Sequence, residues 1–202
     1  MASEIIVFQI GAMIFAASSV VFLVGGTKKL NFDTEFFISF ITSMSYVVMS
    51  LAIATTVALG GGTIYWSRWL FYMAACPLLM YDVVRISTGS TREYPVFALL
   101  TCLTMFNGFL ASFVVSSSRW IFFLFGSAAF IGLLYMVSRG QKNRASKTLK
   151  PFVYIGWSLF PVVFLLAPTG FGIFDAPVTA FLYLLLDLVT KLWFGIITIR
   201  MK

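Results

Sequence analysis

Apolar residues run through this chain in seven long stretches separated by short polar breaks. The stretches are Ile5 to Gly25, Phe36 to Leu59, Ile64 to Val84, Pro95 to Val115, Trp120 to Val137, Pro151 to Ala167 and Val178 to Met201. Each is close to the ~20 residues that an α-helix needs to cross a bilayer core, and together they use up most of the 202 residues. The pattern predicts an all-α membrane protein, a seven-transmembrane-helix bundle forming a single domain over residues 1–202, with no room for a soluble domain. The opening MASEIIVFQIGAMIF lacks the basic region and small-residue cleavage site of a signal peptide, so the first span is expected to be retained.

Composition agrees, with 60% hydrophobic and 10% charged residues. The net charge of +7 changes the picture through its placement. Lys28, Lys29, Arg85, Arg92, Arg139, Lys142, Arg144, Lys147, Lys150, Arg200 and Lys202 all fall on one side if the spans alternate. By the positive-inside rule that side is cytoplasmic, which puts the N-terminus outside and the C-terminus inside a multi-pass protein of the cell membrane. The charge is thus a topology signal, with lipid headgroups as minor contacts and no nucleic-acid partner implied. Cys76 and Cys102 both lie within spans and read as small buried hydrophobes, not as a disulfide framework. With no histidine, no Cys/His cluster, no phosphate-binding glycine loop and no nucleophile triad, metal sites and enzyme chemistry have no footing.

Ionisable residues inside spans are costly in hydrocarbon and mark functional sites by default. The seventh span carries two, Asp187 and Lys191, four residues apart and so one helical turn apart on one face. Two readings of the pair stand: a structural ion pair, or a lysine that forms a Schiff base with an aldehyde cofactor and an aspartate that is its counter-ion. The third span, IYWSRWLFYMAACPLLMYDVV, places Arg68 near its outer end and Asp82 near its inner end, about 21 Å apart at helical rise. Together the four charges look like parts of a charge-transfer path. Tyr72, Phe123, Trp157, Phe160, Phe164, Tyr183 and Phe194 lie at corresponding depths. Singly they read as bundle packing; beside a Schiff-base lysine they line a slot for a long, flat, conjugated ligand.

YWSRW followed by CPLLMYD in the third span, WSLFPVVF in the sixth and DLVTKLWFGIITIR in the seventh resemble the microbial rhodopsins in order and spacing, across essentially all seven spans. The resemblance implies all-trans retinal bound to Lys191 as a protonated Schiff base with Asp187 as counter-ion. It also implies Trp157, Phe160 and Pro161 packing on the polyene, Tyr72 and Phe164 standing where the family usually has tryptophan, and a homo-oligomer, a trimer, in the membrane.

Three third-span positions that are typically Asp, Thr and an acidic residue in outward proton pumps are Phe71, Ala75 and Asp82 here. At i, i+4 and i+11 they fall within about 40° on a helical wheel and are expected to face the cofactor. Phe71 cannot accept a proton, and the positions used by outward pumps for release carry Thr169 and Thr179. Phe, a small residue, Cys76 beside the proline and an acid resemble the schizorhodopsins and Antarctic rhodopsins, a group of light-driven inward proton pumps. Those usually carry Ser and Glu where this chain has Ala75 and Asp82. The implied function is inward proton transport, with Asp82 drawing the proton toward the cytoplasm past Cys76 and Ala75, and reprotonation from outside past Arg68 and Asp187. The alternative is a photosensor signalling to a membrane partner without net transport, for which no long cytoplasmic extension is present. Asp33 and Glu35, near the start of the second span on the cytoplasmic side, have two readings, members of the release route or solvated loop residues, of which the second is preferred; Asn107 reads as a residue near the ring end of the chromophore.

Overall fold

Helices form along the apolar runs for most of their length. The computed structural model describes residues 2–26, 33–88, 90–139 and 144–201; Lys28, Lys29, Lys142 and Lys202, four of the basic residues behind the expected orientation, lie outside them. The first five spans are α1 (Ala2–Gly26), α2 (Asp33–Ser50), α3 (Ser67–Thr88), α4 (Tyr94–Phe113) and α5 (Arg119–Arg139). The sixth joins an α-helix (Arg144–Pro151), a π-helical stretch (Phe152–Trp157) and a second α-helix (Leu159–Leu166). The seventh repeats that plan with Ala176–Asp187, Leu188–Trp193 and Phe194–Ile199. Asp175 starts it by accepting a hydrogen bond from the Val178 amide at 2.9 Å, with Pro177 in the first turn where its missing N–H costs nothing.

Two boundaries differ from the sequence expectation. The second span was expected to run to Leu59, but α2 ends at Ser50 and the chain turns through Ala52 and Ala54, both at positive φ, into a hairpin of β1 (Thr55–Val57) and β2 (Thr63–Tyr65). The cause is local chemistry: β-branched Thr55, Thr56 and Val57 favour strand, and Gly60 to Gly62 supply the turn, with Gly61 at φ +83°. Apolar content alone could not distinguish this from more helix. The hairpin covers the outer end, Tyr65 packing edge-on to Phe8 at 4.7 Å. The sixth span begins at Arg144, before the expected Pro151, because a proline is tolerated where that helix gives way to the π-helical stretch.

Six spans are apolar and long enough to cross a bilayer by length and composition. α2 is more polar because it turns Ser39, Thr42, Ser43 and Ser45 inward, all buried; Thr42 and Ser43 donate to the carbonyls of Ile38 and Ala12 at 2.7 and 3.0 Å. Successive spans pack side by side from α1 to α5, the seventh packs back on α1, and the sixth touches both α3 and the seventh. Large apolar side chains such as Val21, Leu124, Ile131 and Trp193 cover the outside, as lipid requires of a multi-pass bundle.

Two close approaches set the interior. A Cβ on Gly11 of α1 would stand 2.6 Å from the buried Tyr46 ring of α2. Gly11→Ala is therefore expected to destabilise the protein by about 1–3 kcal/mol through overpacking, seen as a lower Tm in detergent. A Cβ on Gly156 would stand 2.7 Å from Thr190 Cγ2, which brings the π-helical stretches of the sixth and seventh spans together around Lys191.

Candidate functional site

Asp187 and Lys191 are buried at 0% and 3% exposure and form an ion pair through Lys191 Nζ and Asp187 Oδ1. The other oxygen, Oδ2, accepts from Tyr46 Oη at 2.7 Å, from Arg68 Nη1 at 3.1 Å and from Tyr72 Oη. Arg68 Nη1 also donates to Tyr72 Oη at 2.8 Å. One carboxylate thus receives four donors from α2, α3 and its own helix. Such a shell suits only the ionised form, which has about four acceptor sites. Two cations share this single anion, and aromatic faces supply part of the remaining compensation: Lys191 Nζ stands 3.5 Å from the Tyr72 ring centroid and Arg68 Cζ 4.6 Å from that of Tyr183.

Tyr46 was not singled out in the sequence. Its signal was faint, a lone tyrosine among small and apolar residues of α2, and its partner is 141 positions away. Tyr46→Phe removes one donor to a buried anion, a change expected to cost about 1.5–3 kcal/mol. The check is a thermal melt, with Phe15 and Phe8 still packing on the ring.

Beside the ion pair lies an apolar slot lined by Trp69, Tyr72, Cys76 and Leu79 of α3, by Thr104, Met105 and Gly108 of α4, and by Phe123, Gly126, Ser127 and Phe130 of α5. Trp157, Phe160, Pro161 and Phe164 of the sixth span and Thr190 and Lys191 of the seventh complete it. It offers about 680 Å³ of space, part of it open outward. Gly108 and Gly126 keep it clear: a Cβ on the first would reach 3.0 Å from Trp69, and on the second 3.1 Å from Asn107. Asn107 itself does not line the slot; its amide donates to the Leu103 carbonyl at 2.8 Å.

Of the residues expected around a ligand, Lys191, Tyr72, Phe123, Trp157, Phe160, Pro161 and Phe164 are brought together. Tyr183 is not among them. It stacks behind Phe160 at 5.8 Å and lines a second, outer cavity with Arg68, Tyr65, Thr169 and Thr179. Phe71 and Ala75 also depart from expectation. The α3 face that lines the slot is Trp69, Tyr72, Cys76 and Leu79, and Phe71, Ala75 and Asp82 sit about 100° around the helix from it. On that second face Asp82 meets α2: it is fully buried and accepts from Thr34 Oγ1 at 3.3 Å. The cysteines are free, Cys102 Sγ approaching the Met73 carbonyl at 3.7 Å.

A buried lysine paired with a carboxylate at the end of an aromatic slot, inside seven spans, has a counterpart among known proteins. The profile of the family described as bacteriorhodopsin-like protein matches residues 2–202. This chain belongs to that family. Among its relatives, sensory rhodopsin III of Haloarcula marismortui is 30% identical over 96% of this chain and 90% of its own, and sensory rhodopsin-2 of Natronomonas pharaonis 29% identical over 87% and 77%. Bacteriorhodopsin of Halobacterium salinarum is 23% identical over 98% and 84%. The structure of schizorhodopsin 4 superposes with a TM-score of 0.89 at 32% identity, covering 96% of this chain and 98% of that one. This microbial rhodopsin therefore has both sensory and bacteriorhodopsin relatives, so family membership alone does not choose between signalling and transport.

Proposed function

We propose that this rhodopsin is a light-driven inward proton pump of the cell membrane that carries retinal on Lys191. The slot fits such a group: it is apolar, walled by Trp157, Phe160 and Phe164, and ends at a buried amine. Bound there, retinal supplies light absorption and, by isomerising, a change in where the Nζ proton points.

What carries the direction is the hydrogen bonding of Asp187. Its four donors occupy the carboxylate beside Lys191 and leave little acceptor capacity for another proton. Phe71 offers no acceptor on α3. The next buried carboxylate along that helix is Asp82, six residues past Cys76 and about 9 Å inward. The Nζ proton then leaves toward Asp82 past Cys76, Leu79 and Met80, an apolar stretch that water must enter transiently. Thr34 holds the Asp82 carboxylate toward α2.

Return of a proton from outside uses the outer cavity. Thr179 Oγ1 and Tyr183 Oη are buried there without a hydrogen-bond partner among the described residues. With the Arg68 guanidinium they form a polar lining that holds water between the surface and Asp187. Electrophysiology on membranes carrying the protein with retinal is expected to give a steady inward photocurrent at zero applied voltage. The higher identity to sensory rhodopsin III, 30% against 23% for bacteriorhodopsin, supports a second reading, a photosensor; an intact photocycle with zero steady current would select it.

A further inference from the structure

The mechanism above ends at Asp82, which is still buried, and leaves two of the described buried carboxylates unused, Glu4 at the start of α1 and Glu35 at the start of α2, on the cytoplasmic side. Glu35, in the first turn of α2, is 2% exposed where the sequence suggested a solvated loop residue. Its neighbour Thr34 turns to α3 and donates to Asp82, while Glu35 turns to the seventh span and accepts from Thr198 Oγ1 at 2.8 Å. Gly195 makes room for it: a Cβ there would stand 3.4 Å from Glu35 Cγ. An ionisable group buried at membrane depth is costly to keep without a use.

We propose that Glu35 is the terminal proton carrier of the inward route, receiving the proton that leaves Asp82 and giving it to the cytosol. The inference rests on the inward-pump reading. The transfer is a proton alone: an O–H bond at Asp82 breaks, one forms at a Glu35 carboxylate oxygen, and the latter breaks again to water, with no electron moved. Thr198 fits both states of Glu35. Its hydroxyl lies 2.8 Å from Glu35 Oε1 and 2.9 Å from the Gly195 carbonyl. Against the anion it donates to Oε1. Against the acid it accepts the carboxyl proton and turns its own to the Gly195 carbonyl, so the Thr198 contact at Oε1 is kept in both states. The exit then lies at the start of α2, at the membrane end where Arg85 closes α3.

The test is time-resolved proton release from retinal-loaded protein in detergent, read with a soluble pH dye, together with infrared difference spectra in the carboxyl C=O region. In Glu35→Gln, the dye signal is expected to lag the visible-band photocycle steps at least about tenfold more than in the parent, and a transient carboxyl band is lost. Glu35→Asp recovers release and shifts that band. Release at the parent rate with all carboxyl bands retained overturns the inference and leaves inward pumping standing. If Glu35→Gln does not fold, Thr198→Val keeps the carboxylate and removes the hydroxyl; it is expected to shift the same band and slow release, and an unchanged band and rate overturn the inference. Absence of inward transport in the parent protein overturns both readings together.

Discussion

Asp82→Asn is expected to stop inward proton movement, lowering steady transport on the order of 100-fold or more, the scale of losing a positioned proton-transfer group. The amide keeps the size of the side chain and can still accept from Thr34 Oγ1, so folding and colour are expected to survive. The loss belongs to proton transfer because Asp82 does not line the slot. The measurement is initial transport rate per chromophore, with absorbance confirming equal loading. Transport at the parent rate would remove Asp82 from the route, and the inward path would need another acceptor.

Lys191→Ala is expected to abolish colour altogether. No other described lysine lines the slot, so added retinal finds no amine, and the visible band of the loaded protein is lost. The substitution also removes one cation from the site. Breaking a buried ion pair costs about 3–5 kcal/mol when the partner is stranded; here Arg68, Tyr46 and Tyr72 still hold Asp187, so the Tm in detergent is expected to fall by less than such a loss implies. Arg68 and Lys191 therefore differ in kind: the first positions and neutralises Asp187 from the outer side, the second bears the site's reactive nitrogen. A visible band retained in Lys191→Ala would displace the lysine from its assigned role.

Much of this was legible in the chain because membranes restrict what apolar sequence can do. Seven runs of spanning length leave helices as the economical solution, and the i, i+4 spacing of Asp187 and Lys191 places them within reach of each other before any tertiary contact is known. The hairpin after α2 was hidden because its residues are as apolar as a helix end, and only the three consecutive glycines hinted at the turn. Tyr46 was hidden for another reason, and for the same reason Glu35, named as a possible member of the release route, was read first as a solvated loop residue. Their roles depend on contacts 141 and 163 residues away in sequence, which no local pattern encodes. The wheel arithmetic for Phe71, Ala75 and Asp82 correctly grouped them on one face, but periodicity does not say which neighbour a face meets. Asp82 on that face meets α2, and the slot belongs to the next face around.

The departure at position 71 has an electrostatic side. Among the described residues Asp187 is the one carboxylate paired with both Arg68 and Lys191, and the phenylalanine at position 71 adds no second one. A single shared carboxylate, fully hydrogen-bonded, is suited to staying charged while the proton goes elsewhere.

Light-induced pH change in an unbuffered suspension of cells carrying the protein and retinal, with and without a protonophore, tests the central claim most directly. Inward transport predicts alkalinisation of the medium that the protonophore abolishes. Acidification of the medium would contradict it, since protons would then be leaving past Phe71 by an outward path that the site's bonding does not provide.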